Sequence, residues 1–232
     1  MGGKSPLCVN WLVHRINRQE IEAAARGHAR GMLLDIGCGH GRYNDLLDRC
    51  ADSRTGMELD RGRYVSVCRP GVWGSGLSLP FRDDCFDTVV SFQVLEHVPE
   101  PAQMVQEIAR VLKPGGCLIL TAPHIWGIHE EPEDYFRFTG FGLSHLSRVA
   151  GLKVVSVRSM AGYWVTAGAR FCYYLQLFER LPGMALLLRP LYALVQLAAL
   201  VLDRLHRVEG DAWNFILVAT KPRTQAKQEE PR

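Results

Sequence analysis

The chain has 232 residues, 47% of them hydrophobic, and a formal charge of +3, enough for one sizeable core and too little for two ordinary domains. Its basic residues are scattered instead of forming a stripe, which argues against nucleic acid as a partner. Seven cysteines, without a C-x-x-C pair, fit reduced thiols and neither a disulfide framework nor a zinc site.

The opening MGGKSPLC has no apolar run of the secretory type, and Pro6 stands where a myristoylation pattern wants Ser or Thr. The expected location is the cytoplasm. From residue 10 to 29, Trp11, Leu12, Ile16 and the alanines near Ala24 recur at helical spacing, predicting a leading amphipathic helix. The rhythm then changes. Short apolar runs at 32–36, 54–58, 88–92 and 116–121 alternate with amphipathic stretches that begin near 42, end near 68, and span 101–112 and 141–150. Such alternation implies parallel strands joined by right-handed crossovers, hence a doubly wound α/β sheet.

Gly151 reads as a helix stop, 153–158 as a further strand and 215–220 as the last, with an apolar insert of about forty residues between them. Beyond Lys221 the polar tail reads as disordered. The expected organisation is a helical segment over 1–29, a core over 30–162, an apolar helical insert over 163–210, the last strand within 211–221 and a tail over 222–232.

Three glycines punctuate LLDIGCGHGRY, residues 33–43. Glycine is used where φ must be positive or where a ligand touches the main chain. A dinucleotide fingerprint is G-x-G-x-x-G, with a pyrophosphate over the helix start. Here Gly37, Gly39 and Gly41 are spaced G-x-G-x-G, which disfavours a nicotinamide-dependent reductase, and Asp35 precedes them where an acid would repel phosphate but hold an ammonium. About twenty residues on, Glu58 ends the second strand, placed to accept from both hydroxyls of a ribose. A ribose without a pyrophosphate, plus an ammonium, describes S-adenosylmethionine.

Together with D-I-G-C-G-H-G and Glu58, the segments L-P-F at Leu79, F-D at Phe86, L-E-H at Leu95 and R-V-L-K-P-G-G at Arg110 resemble a class I S-adenosylmethionine-dependent methyltransferase of the type-11 branch. The likeness covers roughly residues 30 to 125. It implies a seven-stranded sheet whose last strand runs antiparallel. It also implies that Asp35, Gly37, Cys38 and Gly39 lie near the methionyl part with Gly41 in the same loop, Glu58 on the ribose and Leu59 against adenine. The acid that the family often places after its third strand is replaced by Ser75, so adenine would be held by Leu77 and the backbone around Gly76. Gln93 would lie near the transferable methyl. Asp87 reads as a hydrogen-bonding residue at a strand start, and Gly115 and Gly116 as a turn.

The loop HIWGIHEEPEDYFRFTG, residues 124–140, follows the fifth strand and so borders the methyl donor. His124, His129 and the neighbouring acids lack helical H-x-x-x-H spacing, and no metal is expected. One reading takes His97 or His129 as a general base for an acceptor hydroxyl, oriented by Tyr135 and Arg137; the other has the loop merely packing down before Thr139 caps the next helix.

Residues 184–203, MALLLRPLYALVQLAALVLD, are long enough to raise a membrane span, but a single crossing would strand the final strand away from its sheet. With Pro190 in a helix's first turn and a polar stripe of Gln196, Asp203 and Arg207, three readings stay open: a lid over an apolar acceptor, an in-plane helix contacting the membrane's inner face over 184–205, or a packing layer or dimer face. The functional expectation is a methyltransferase acting on a small or lipid-like acceptor at oxygen or carbon. Its rival is a catalytically silent S-adenosylmethionine-binding scaffold.

Overall fold

The computed structural model describes residues 5–59 and 70–223. The helix expected to end near residue 68 and the tail from residue 224 lie outside the described residues. The described strands are β1 (Met32–Ile36), β2 (Ser53–Glu58), β3 (Val72–Trp73), β4 (Phe86–Phe92), β5 (Leu112–Pro123), β6 (Lys153–Ser159) and β7 (Asn214–Thr220). They form one sheet in the order β3-β2-β1-β4-β5-β7-β6, in which β7 runs opposite to the other six strands. The seven-stranded doubly wound architecture expected from the sequence is the one observed.

Alternating side chains of the strands feed two cores. On one face Leu34, Ile36 and Val89 meet α3 (Pro101–Val111) and α4 (Gly140–Val149). On the other, Leu33, Val90 and Ile119 meet α1 (Trp11–His28) and α5 (Tyr163–Gln176). Thr139 caps α4 by accepting from the Gly142 N–H at 3.0 Å, and Gly151 ends it at φ +79°. Asp87 accepts from the Met32 N–H at 3.0 Å and from Lys113 Nζ at 2.7 Å, a strand-start role that welds β4 to β1.

Three local expectations are corrected. The helix foreseen from residue 42 is a single turn, α2 (Asn44–Leu47), because the Asp52 N–H is drawn to the Gly31 carbonyl and starts β2. The K-P-G-G turn lies inside a twelve-residue β5, with Gly115 at φ +83° donating to the Lys221 carbonyl. The insert helix begins six residues before Pro190, as α6 (Met184–Leu205). Pro190 therefore costs one interior hydrogen bond, at a position exposed to water.

The polar stripe of α6 faces inward. Gln196, fully buried, accepts from the Leu12 N–H at 2.9 Å and donates to the Pro6 and Cys8 carbonyls. Asp203 accepts from the Gly162 and Val165 N–H groups. These two side chains satisfy first-turn donors of α1 and α5, which a helix cannot satisfy itself. Leu186, Leu187, Leu194, Val201 and Leu205 are left on the outside, between 55% and 79% exposed.

Candidate active site

Strand order reverses between β1 and β4, and ligands of open α/β sheets bind beyond the carboxyl ends of strands at such a switch point. The loops after β1, β2 and β4 converge there on a cleft of about 420 Å³, lined among others by Gly37, Gly39, Glu58, Leu59, Gly76, Leu77, Gln93 and Tyr135. Gly37, Gly39 and Gly41 all take positive φ, at +72°, +51° and +69°. A Cβ on Gly37 would strike Val94, whereas one on Gly39 would meet no protein atom within 4 Å. Gly39 thus presents bare backbone to the cleft.

Glu58 is buried at the tip of β2. Its Oε2 accepts from the Gly39 N–H at 2.8 Å and its Oε1 from the Leu59 N–H at 3.0 Å, so each oxygen keeps a lone pair for a further donor. Ser75 lines the same cleft and accepts from the Leu77 N–H at 3.2 Å, which fixes the turn around Gly76. The open backbone at Gly39, the strand-end carboxylate and the apolar walls of Leu59 and Leu77 fit a nucleoside bearing a free ribose diol.

Three residues expected from the sequence at the cofactor, Asp35, Cys38 and Gly41, are not part of the lining of this cleft. Asp35 lies within β1, and its burial pushes the carboxyl up to about 7, against the pull of Arg54. The Cys38 thiol points to Gly56 of β2. Gly41 is required by the turn, since a Cβ there would strike the Asn44 amide.

A second cleft of about 200 Å³ adjoins the first, and Gln93, His97 and Glu130 line both. Gln93 holds this junction at φ +57°, with its amide donating to Thr121 Oγ1 at 3.0 Å and Asn214 Oδ1 at 3.2 Å. A non-glycine residue in that region is strained and marks a site that the fold over-determines. Asn17, Asn214, Trp126, Trp213 and Tyr173 complete the second cleft. None of these five is a candidate on sequence grounds; a buried Asn17 on the inner face of α1 is the one signal that pattern reading could have used.

The loop after β5 brings His129 against His97, their rings edge to face at 4.9 Å. Arg137 does not reach outward to an acceptor. Its Nε donates to the Trp126 carbonyl, its Nη1 to Asp134 Oδ1 and the Phe136 carbonyl, and its Nη2 to Asp134 Oδ2 and the Gly127 carbonyl. All five donors of the fork are spent, so Arg137 braces the loop, and its guanidinium holds the Asp134 carboxyl well below the usual carboxylate range. Tyr135 is half-exposed on the wall of the first cleft.

Residues 34–120 match a family model described as a methyltransferase domain. Over that span the chain is similar to a methyltransferase domain. Its relatives include one named a probable S-adenosylmethionine-dependent methyltransferase, 37% identical over 97 residues, 40% of this chain and 38% of that one. An uncharacterized methyltransferase of Mycobacterium tuberculosis is 38% identical over 96 residues, 38% of each chain. The ubiquinone biosynthesis O-methyltransferase of Pseudomonas aeruginosa is 30% identical over 142 residues, 56% of this chain and 54% of that one. The chain thus spans about half or less of the curated relatives it matches. Among solved structures, the cyclase SpnF superposes with a TM-score of 0.61 at 22% identity, covering 92% of this chain and 84% of that one. A Haemonchus contortus phosphoethanolamine N-methyltransferase, in complex with S-adenosyl-L-methionine, superposes with a TM-score of 0.57 at 17% identity, covering 95% and 59%. These likenesses establish the fold of the methyltransferase domain. A cyclase among them shows that the fold alone does not name the reaction.

Proposed function

We propose that the chain transfers the methyl group of S-adenosylmethionine to an oxygen or carbon of a small or lipid-like acceptor seated in the second cleft. The observation that carries this reading is the shared wall: Gln93 and His97 line both clefts, so donor and acceptor would meet beside them. The bound cofactor supplies an already activated sulfonium methyl. The chain's work is then mainly alignment of nucleophile, carbon and sulfur, for which near-attack geometry is worth several kcal/mol. Gln93, fixed by two hydrogen bonds, sets the floor of that line. Trp126, Trp213 and Tyr173 offer apolar ring faces to the acceptor, and Asn17 and Asn214 offer amides. The ubiquinone biosynthesis O-methyltransferase among the relatives favours oxygen as the accepting atom.

A further part of the proposal is that the protein works at the inner face of a membrane. Met184–Leu205 is long and apolar enough to cross a bilayer by length and composition, yet β7 follows it after a short turn and inserts between β5 and β6 of the sheet. No α6 residue lines either cleft, which removes the lid reading. An in-plane helix and a dimer face remain, and we adopt the in-plane helix, its leucines outward and its polar residues turned to the protein. Exposed Leu177, Phe178 and Leu181 extend the apolar face, and the exposed arginines Arg180, Arg189 and Arg204 frame it with positive charge, the complement of anionic lipid headgroups.

The test is incubation with S-adenosylmethionine and a lipid-containing cell extract, reading S-adenosylhomocysteine and the mass gain of one methylene in an extract component. Turnover supports the proposal. Tight cofactor binding without S-adenosylhomocysteine from any extract fraction would instead leave a silent binding scaffold.

A further inference from the structure

Glu96, in the short 3-10 turn Leu95–His97 after β4, is fully buried, and neither of its carboxylate oxygens has a hydrogen-bond partner in another described residue. A buried, unpartnered carboxylate is costly in any protein and is retained where something neutralises it. Burial pushes this carboxyl up to about 8, while the Arg137 charge pulls the other way and Asp134 and Glu130 add to the push. The backbone N–H of Glu96 is the one donor that pulls the carboxyl down, and no other described residue hydrogen-bonds to it. What the chain supplies are two imidazoles.

Nε2 of His97 lies 3.9 Å and Nε2 of His129 lies 4.0 Å from Glu96 Oε1, too far for hydrogen bonds. The opposite nitrogen of each ring is already engaged. His97 Nδ1 lies 2.7 Å from the Glu133 carbonyl and His129 Nδ1 lies 3.2 Å from the Gly127 carbonyl. A carbonyl only accepts, so in the neutral ring His97 Nδ1 carries the proton and its Nε2 presents a lone pair. His129 Nδ1 faces the Gly127 carbonyl and, at 3.4 Å each, Asp134 Oδ2 and Arg137 Nη2, two acceptors against one donor whose hydrogens are spent elsewhere, which favours the same neutral tautomer. That tautomer, fixed by a partner at the other nitrogen, is the one metal-binding histidines adopt. Asp134 steadies the His129 ring further, taking the His129 backbone N–H at 2.9 Å and lying 3.4 Å from its Nδ1.

One ligand atom from each of the three residues can be chosen so that all lie within 4.8 Å of one another. Ligand bonds of about 2.0 to 2.2 Å around a tetrahedral ion put neighbouring ligands about 3.4 Å apart, so closing onto an ion needs a contraction of well under 1 Å along the two measured edges. The geometry points to a binding site for a divalent first-row transition-metal ion, zinc or iron(II) in type, held by Glu96, His97 and His129. Two histidines and one carboxylate leave coordination positions open, and His97 and His129 line the second cleft, so those positions face the acceptor.

The inference departs from the expectation of no metal, which considered only the loop over 124–140; the carboxylate comes from a different element. It deepens the methyltransferase reading by giving the two histidines a common task, to present a cation to an oxygen of the acceptor. The binding claim itself does not depend on turnover.

The experiment uses the full chain without a histidine tag, stripped of metal by chelator and titrated with cobalt(II) while visible absorption is recorded. The expected result is one equivalent bound with new visible bands, displaced by zinc. Glu96→Gln and His129→Ala should each weaken binding by about 100-fold or more while keeping the wild-type circular dichroism. Glu96→Gln keeps the shape and removes a buried charge, so it remains a folded control. Failure of the wild type to bind below millimolar cobalt, or equal binding by both variants, overturns the site. Calorimetry with S-adenosylmethionine in chelator runs alongside: cobalt binding without cofactor binding would count against the methyltransferase reading and leave the metal site standing.

Discussion

The Gly39 N–H donates to Glu58 Oε2 across 2.8 Å, so the glycine loop after β1 is latched to the carboxylate that ends β2. One side chain thus shapes the loop and faces the first cleft. Glu58→Ala should lower S-adenosylmethionine affinity by about ten- to a hundredfold, the value of roughly 1.5 to 3 kcal/mol of charged hydrogen bonding. Calorimetry decides it, and an unaltered dissociation constant would remove Glu58 from the ribose site.

Gly39→Val separates space from conformation. A Cβ there meets no protein atom within 4 Å, so the apo protein has room for one, but φ of +51° is costly for a β-branched residue. The cofactor would also lose its approach to the main chain. Expected is a folded protein with unaltered circular dichroism that binds no cofactor; normal binding by the folded variant would sink the cradle.

Asp35 predicts a pH dependence. Its carboxyl, 5% exposed, ionises only near pH 7 in the folded chain, against 3.8 without the fold's burial. Between those values the unfolded chain loses the proton first and is stabilised by it, so the contribution of Asp35 to cofactor-free stability is greatest below about pH 4 and falls as pH rises to about 7. Asp35→Asn removes that slope. The difference between wild-type and variant melting curves over pH 4 to 8 should grow with pH to a few kcal/mol, order of magnitude, in the variant's favour. Parallel curves would mean that Asp35 already ionises normally.

Where local chemistry decides, the sequence was legible. Met32–Ile36 reads as a buried strand from its apolar run, Thr139 and Gly151 bracket α4 by capping chemistry, and Glu58 follows from its strand-end position. What stayed hidden depends on contacts between distant residues. Asn17 and Asn214 meet only because β7 inserts between β5 and β6. Arg137 reads as an acceptor-orienting residue until Asp134 is seen to occupy its fork. Glu96 sits in a recognised L-E-H segment, yet its burial without a side-chain hydrogen-bond partner among the described residues is a property of packing that no spacing reveals.

The orientation of α6 yields the last prediction. Periodicity separates its polar stripe from its leucines but cannot say which side is wet, because the usual rule of apolar inside fails here: Gln196 and Asp203 are committed to the ends of α1 and α5. Leu194 and Val201, seven residues apart, are 66% and 55% exposed on the outer face. Changing both to Asp therefore buries no charge, and the double variant should melt within a few degrees of the parent and bind S-adenosylmethionine equally well. If the face lies on a bilayer, each lost apolar side chain removes contact worth about 0.8 kcal/mol per methylene, and two negative charges now meet anionic headgroups. Flotation with vesicles containing anionic lipid should then recover the parent with the lipid and leave the double variant behind, while neutral vesicles bind the parent more weakly. A concentration-dependent mass that the variant abolishes, without parent flotation, would assign the face to a second copy of the chain, and a parent that neither floats nor self-associates would refute membrane docking.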